Sequence, residues 1–358
     1  MKILIVGGTW DDNGGRPSSI VSRFATDLTA EIPTVDTING GYYSEISNLL
    51  HKSVLLRYDV VFWWANVPND KPKLRDVKAV NPKIILVGSK RNDDNKYNYQ
   101  ELISMALGRK QNLVVTFAKE AEKLFRFTIY DPLGNEWYNG TSIQDCVKVL
   151  KNRLETLVKI TRIGTNNTTD VNIPSVEIDS RYLNVVKKYA EKFHELIMPE
   201  PTTRFLGNSS FRCRNGFPSF RNGELIYVSK RNIDKERIDE NGFVPVLAKR
   251  QPNEKVTVLS DIKPSVDTPV QLALYEMFPN INYMVHSHTY VKDGTFTNNP
   301  LPCGAYEEVE EINNTIADKT KHFYAINLIG HGCIIMSDDV DKLETVEFIA
   351  RPIPEKQY

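Results

Sequence analysis

The first half of the chain alternates short apolar runs with stretches of helical spacing. KILIVGG at 2–8 predicts a buried strand that ends in glycines, and SSIVSRFATDL at 18–28 predicts the helix after it. YDVVFWWANV at 58–67 and PKIILVGSK at 82–90 are further apolar runs bounded by Pro, Gly and Asn. YQELISMALGR at 99–109 has helical spacing, NLVVTFA at 112–118 predicts another strand, and residues 142–161 carry apolar positions at 3.6 spacing, as one long helix would. Strands that alternate with helices predict an open parallel sheet covered on both faces. Residues 1–163 therefore read as a Rossmann- or flavodoxin-like α/β domain.

GTNNTTDVNIPS at 164–175 has few large apolar residues, so 164–176 reads as a linker. A helix follows at 181–198. From about 203 the pattern changes to short strands with turn signals: FLGNSSFRCRNG, GELIYVSKRN and NGFVPVLA. A helix at 269–279 then precedes the apolar stretch MVHSHTYV at 284–291. FYAINLIGHGCIIMSDD at 323–339 reads as two buried strands around a turn, with a last helix starting near Asp339. Residues 177–358 therefore predict an α+β domain built on a central antiparallel sheet. The chain shows no internal repeat and no low-complexity tract.

Composition narrows the setting. At 358 residues, two domains are the default. Lys plus Arg equals Asp plus Glu, at 45 each, so charge gives no argument for a nucleic-acid or membrane-surface partner. The four cysteines, Cys146, Cys213, Cys303 and Cys333, are scattered without a CxxC pair, which suggests free thiols in a reducing compartment. The N-terminal apolar run is too short for a signal peptide, and no stretch approaches the roughly 20 apolar residues of a membrane span. The expectation is a cytoplasmic protein.

The chain has six histidines, and two of them flank Ser287. In a strand, residues two apart project from one face roughly 6.6 Å apart along the axis, so His286 and His288 can both reach one ion. Catalytic zinc sites usually take three protein ligands and leave one position open. His331, at a glycine-flanked turn, is the natural third. Asp267, in SVDTP one helix earlier, is a candidate fourth ligand or acid/base group. The alternative is two half-exposed strand histidines and a buried turn histidine, all with ordinary hydrogen bonds.

The order of segments adds to this reading. GNSSFR, VSKRNID, SVDTPVQLALYEMFPNINYMVHSHT, LPCGAYEE and GHGCIIM, over roughly 180–350, resemble the class II aldolase/adducin family, in particular its L-ribulose-5-phosphate 4-epimerase branch. The resemblance implies that His286, His288 and His331 hold a divalent metal, usually zinc. It implies an enzyme that breaks, or breaks and re-forms, a carbon–carbon bond of a sugar phosphate or related polyol carbonyl compound. An enediolate forms in such chemistry, and a metal stabilises its charge as a Lewis acid. Asp267 stands where aldolases of the family carry a catalytic Glu, and is the epimerase-like choice. Glu307, Glu308 and Tyr306, which follow the histidine strand, are further proton-transfer candidates.

Family members hold the substrate phosphate with a Gly-Asn-x-Ser segment and a later Ser-Gly turn. GNSS here offers Asn208 and Ser210, with Arg212 nearby. The second turn is replaced by Ser229, Lys230 and Arg231, which could hold a phosphate or form an ordinary solvated turn. The family's C-terminal catalytic tyrosine has no secure counterpart, Tyr358 being the last residue. The resemblance also implies a homo-oligomer. Adducin-like members keep the fold without the metal site and serve as interaction modules, which is a second reading of this half.

VGGTWDDNGGRPSS at 6–19 is a glycine-rich loop between a strand and a helix. Gly7, Gly8, Gly14 and Gly15 could let a nucleotide phosphate approach the helix N-terminus, with Asp11, Asp12 and Arg16 as polar handles. The loop is neither GxGxxG nor a P-loop. A capped strand–helix connection explains Pro17, Ser18 and Ser19 equally well. A third reading therefore places nucleotide-dependent transferase or hydrolase chemistry in this half.

Overall fold

The structure is a computed structural model, and it describes residues 1–49, 51–68, 74–122, 124–162, 165–168, 177–197, 205–213, 225–248 and 255–358. The chain forms two compact units: Met1–Thr161 with Ile353–Tyr358, and Arg162–Pro352. The C-terminal six residues thus belong with the first unit, although the sequence pattern assigned them to the second. Thr165–Asn167, expected in the linker, is instead a strand of the second unit's sheet. Residues 169–176 of that linker lie outside the described residues.

The first unit runs β1 (Ile3–Asp11), α1 (Ser19–Glu31), β2 (Val35–Tyr42), α2 (Tyr43–Leu49), α3 (Lys52–Leu55), β3 (Val60–Trp63), α4 (Leu74–Val80), β4 (Ile85–Arg91), α5 (Tyr99–Gly108), β5 (Leu113–Ala121), β6 (Leu124–Tyr130), β7 (Asn135–Gly140) and α6 (Ile143–Arg162). Strands β2, β1, β3, β4 and β5 lie side by side in that order and all pair in parallel, the flavodoxin-like order. The run KILIV is continuously apolar because both faces of its strand are covered. Ile3 and Ile5 pack with Val21, Phe24 and Leu28 of α1 and Leu150 and Leu154 of α6. Leu4 and Val6 point the other way and pack with Ile46, Leu55 and Val77.

The sheet then continues antiparallel through β6 and β7, a hairpin that the apolar pattern did not mark. Its signal is the turn DPLG. The Asp131 carboxylate accepts from the backbone N–H groups of Leu133 (2.8 Å) and Asn135 (3.1 Å).

The second unit continues with β8 (Thr165–Asn167), α7 (Ser180–Leu196), β9 (Asn208–Arg212), β10 (Leu225–Ser229), β11 (Phe243–Leu247), β12 (Val256–Val258), α8 (Thr268–Met277), β13 (Tyr283–Ser287), β14 (Tyr290–Val291), β15 (Thr295–Phe296), α9 (Glu308–Thr315), β16 (Phe323–Leu328), β17 (Gly332–Ser337), α10 (Val340–Glu344) and β18 (Phe348–Ile349). The last strand, β19 (Glu355–Lys356), pairs with β7 in the first unit. The sheet order is β15-β16-β17-β13-β9-β10-β11-β12-β8. It is antiparallel from β16 to β12, as expected, with parallel pairs only at its two edges.

Strand β13 lies mid-sheet, with His286 opposite Ile334 of β17 on one side and Asn208 of β9 on the other. Met284 joins the core under α8 and α9, and Val285 joins the core of the opposite face with α7 and α10. His286, two residues after Met284, therefore projects on the α8/α9 side. The Tyr182 hydroxyl of α7 donates across β9 and β13, to the carbonyls of Ser210 (2.7 Å) or Met284 (2.9 Å). Among the described residues, no helix is long and apolar enough to cross a membrane.

Candidate metal centre

Strand β13 delivers His286 at its inner end and His288 just beyond it. His331 arrives from the tight turn between β16 and β17. That turn presses on the end of β13: a Cβ on Gly332, at φ +145°, would lie 2.1 Å from the Ser287 carbonyl oxygen and 2.6 Å from the His288 Cα. Only glycine permits the approach. The Tyr290 hydroxyl accepts from Gly330 N (3.1 Å) and Thr297 Oγ1 accepts from Ile329 N (3.1 Å), fixing the turn. The three imidazoles end up with ring centroids 4.5–5.2 Å apart.

Hydrogen bonds set which nitrogens face inward. His286 Nδ1 donates to the Cys333 carbonyl at 2.8 Å, which leaves its Nε2 with a lone pair. His331 Nδ1 donates to Glu308 Oε1 at 2.7 Å, which likewise frees its Nε2. Those two Nε2 atoms, and Nδ1 of His288, are buried and have no hydrogen-bond partner among the described residues. The three histidines offer ligand atoms that all lie within 4.8 Å of one another. Buried ring nitrogens without a partner are costly unless something with positive charge meets them. Neutral imidazoles converging in this way fit a zinc-like divalent ion, and the Glu308–His331 bond is the carboxylate support that such ligands usually carry.

Electrostatics favour the neutral form of His286 and His288. Burial pushes His286 down to about 4, and neighbouring His331 acts in the same direction. Burial, then His286 and His331, hold His288 well below the usual range. His331 differs: burial lowers it, but the Glu308 carboxylate outweighs that and holds it up. Burial also raises Glu308, against the pull of His331.

The metal-free protein is therefore expected to lose stability as pH falls from about 6.5 to about 4. Over that window the unfolded chain takes up the His286 proton and the folded chain does not, so acid favours unfolding. His286 alone contributes about 3 kcal/mol of the loss, at about 1.4 kcal/mol per unit, and His288 acts in the same sense. His331, held up by Glu308, is protonated in both states below about 6.5 and adds nothing in this window. Urea unfolding at several pH values checks this, and a metal-free His286→Gln variant with an equally steep acid loss would refute it.

Asp267 is the N-cap residue of α8, but its side chain caps nothing. It turns toward the histidines, accepting from Asn208 Nδ2 and, at 3.0 Å, from the Cys303 thiol. Gln271 Nε2 donates to Asn208 Oδ1 and so fixes that amide. Asp267, Cys303 and His331 form a second group whose ligand atoms lie within 4.8 Å of one another. The three histidines and Asp267, singled out in the sequence, are thus brought together.

The other sequence candidates fare differently. Glu308 is 4 % exposed and accepts from His331 Nδ1, a contact that suits positioning of that ring. Tyr306 is exposed just before α9. Asn208 serves Asp267. Ser210 is fully buried against the Tyr275 hydroxyl (3.1 Å), and fully buried Ser229 accepts from Ser209 N (3.1 Å). Arg212 donates to the carbonyls of Tyr275 (2.6 Å) and Ile281 (3.3 Å). These contacts hold the sheet and α8 together. Lys230 is half-buried, and its backbone N–H bonds to the Gly242 carbonyl. Tyr358 donates to Glu136 Oε1 (2.7 Å) within the first unit.

The glycine loop of the first unit is closed on itself. Thr9 N donates to the Arg16 carbonyl (2.9 Å), Arg16 N to Thr9 Oγ1 (2.7 Å), and Gly15 N to the Gly41 carbonyl (2.8 Å). A Cβ on Gly15 would lie 1.8 Å from the Thr9 carbonyl oxygen, and one on Gly7 would meet Val21 at 2.5 Å. Gly8 is pressed equally closely against Arg16 and Gly40, while Gly14 has room. Chain packing therefore accounts for Gly7, Gly8 and Gly15, and the N–H groups of Gly15 and Arg16 point at protein acceptors. Ser18 caps α1 through Val21 N, as its type predicts.

Sequence reasoning missed two residues. Cys303 passed as one more free thiol. Lys235, in the polar stretch IDKERID, carried no signal of burial, yet it is 6 % exposed. Its Nζ donates only weakly, to the carbonyls of Ile233 (3.3 Å) and Phe205 (3.4 Å). Burial pulls it down to about 8, against the opposing pull of Asp234, Asp267 and Cys303.

The fold and site define an α+β domain with a buried, metal-competent three-histidine centre. Residues 187–292 match the family profile of the Class II Aldolase and Adducin N-terminal domain, and the second unit carries a domain of this family. The matched span includes His286, His288 and Asp267 and ends before Cys303 and His331. Among solved structures, the N-terminal class II aldolase domain of a conserved protein from Thermoplasma acidophilum is 16 % identical. That match covers 49 % of this chain and 92 % of that one, with a TM-score of 0.35. L-Fuculose-1-phosphate aldolase from Thermus thermophilus is also 16 % identical, over 45 % of this chain and 82 % of that one, at a TM-score of 0.29. The DNA/pantothenate metabolism flavoprotein from Streptococcus pneumoniae is 11 % identical, over 43 % of this chain and 98 % of that one, at a TM-score of 0.34. No curated protein matches the chain by sequence.

Proposed function

We propose that the second unit is a divalent-metal enzyme, with zinc as the ion, acting on a sugar phosphate or related polyol carbonyl compound. It breaks the bond between the carbon beside the carbonyl and the hydroxyl-bearing carbon after it, and either releases the two parts or rejoins them with inverted stereochemistry. The observation that carries this reading is the meeting of three buried histidines, each with an unpartnered ring nitrogen and with ligand atoms within 4.8 Å of one another, and the Asp267 carboxylate beside His331. His286, His288 and His331 would hold the ion, whose Lewis acidity stabilises negative charge developing on a substrate oxygen.

The proton traffic falls to this chain. Bond breaking requires removal of the proton from the hydroxyl on the departing carbon, while the bonding pair passes to the carbon beside the carbonyl. Asp267 is the carboxylate in reach of the centre, and a proton held at its oxygen can return to either product. The hydrogen-bonded pair Asn208 and Gln271 fixes its orientation. Burial of the whole group keeps water from competing.

The test is a panel of ketose and aldose phosphates, and their unphosphorylated counterparts, offered to the zinc-loaded full chain. Products are followed by NMR for cleavage or inversion at a hydroxyl-bearing carbon. Turnover of one such class, lost in Asp267→Asn while the metal stays bound, is the expected result. Turnover unchanged in Asp267→Asn would remove Asp267 from the mechanism. Metal binding without cleavage or inversion of any member would remove the reaction class.

A further inference from the structure

We propose that Cys303 is a fourth protein ligand of the metal in the substrate-free site, an inference that rests on the three-histidine reading above. Three histidines leave one position of a four-coordinate ion open. Cys303 lies beside one member of the centre: its Sγ, an Asp267 oxygen and a nitrogen of His331 lie within 4.8 Å of one another, and His331 is also the member shared with the histidine group. The turn that presents it is fixed by a bond from Ala305 N to the Pro302 carbonyl (3.0 Å). The other three cysteines are buried in apolar cores, Cys146 in the first unit and Cys213 and Cys333 among the residues packed around α7. Cys303 alone of the four is only partly buried, and its thiol donates to the Asp267 carboxylate at 3.0 Å.

The chemistry balances without a further reactant. The thiol S–H bond breaks, the sulfur pair enters the open position, and the proton moves to Asp267 and on to solvent. Metal binding to thiolate sites releases protons in this way. A dication held at the imidazole nitrogens favours the thiolate strongly. A sulfur in the fourth position closes the site until substrate oxygens displace it, and it biases the centre toward thiophilic ions over magnesium or calcium. It also places the thiol where a bound metal shields it from alkylation.

Cobalt(II) replaces zinc and reports on its ligands by colour, so the test is the absorption spectrum of the cobalt-loaded full chain. Visible bands show cobalt in the site, and an intense near-ultraviolet band shows sulfur bound to it. The expected result is both sets in the wild type, with the near-ultraviolet band lost in Cys303→Ser and in Cys303→Ala while the visible bands persist. Visible bands without the sulfur band in the wild type would overturn the inference and leave the histidine centre standing. A sulfur band that survives both substitutions would also overturn it, since another cysteine would be the ligand. No cobalt bound at all would overturn the histidine centre itself. Mass spectrometry of iodoacetamide-treated protein adds an independent readout: cobalt should slow modification of Cys303, and equal modification with and without cobalt counts against the bond.

Discussion

Wild-type protein purified without added metal is expected to carry about one divalent ion per chain, and the His286→Ala/His288→Ala double variant none. The two substitutions remove two of the three converging nitrogens and leave His331 with its Glu308 support. His331 also keeps Asp267 and Cys303 beside it, but with two of the three imidazoles gone the remaining donors should not retain an ion through purification. His194, whose ring pairs with Glu236 away from the metal-donor groups, provides the control, and His194→Ala should keep the metal. The effect should also appear in stability. An ion that binds only the folded state adds about 2.7 kcal/mol at a hundredfold excess over its dissociation constant. Added zinc should therefore raise the melting temperature of the wild type and not that of the double variant. Elemental mass spectrometry decides the matter: a double variant with wild-type metal content would place the ion elsewhere, and the adducin-like interaction reading would then return.

The sequence carried the site's ligands more readily than its surroundings, for a physical reason. His286 and His288 announce themselves because a strand sends alternate side chains to one face, so spacing alone brings them together. His331 was legible through its flanking glycines, and Gly332 does allow the turn to press on β13. The parallel sheet was legible because continuous apolar runs are what strands covered on both faces require. What escaped depends on contacts between distant segments. GNSS looks like a phosphate cradle, yet Ser210 and Ser229 bond inside the sheet and Arg212 ties β9 to the end of α8. Nothing local distinguishes a serine that faces a ligand from one that faces Tyr275. The glycine loop misled in the same way: its close approaches are to Thr9, Val21 and Gly40 of the same chain. The return of the C-terminal residues to pair with β7 likewise has no local signature.

Glu308 separates two assignments that spacing alone could not. In the sequence it is one of several carboxylates after the histidine strand, suited to moving protons. In the fold it is buried behind His331 and accepts from Nδ1 at 2.7 Å, on the ring edge opposite the free Nε2. A carboxylate placed there orients the ring and makes its free nitrogen a stronger donor. Glu308→Gln keeps an acceptor oxygen and the side chain's size but removes the charge. The expected result is a metal dissociation constant raised about 10–100-fold, or roughly 1.4–2.7 kcal/mol, with the fold intact. Turnover at saturating metal should fall far less than in Asp267→Asn. The two roles leave opposite signatures, because a positioning residue changes metal affinity and an acid/base residue changes kcat at full loading. Calorimetric titration with zinc and turnover measured in excess zinc distinguish them. Unchanged zinc affinity with a collapsed kcat would return Glu308 to the catalytic group and leave His331 to be held by its turn alone.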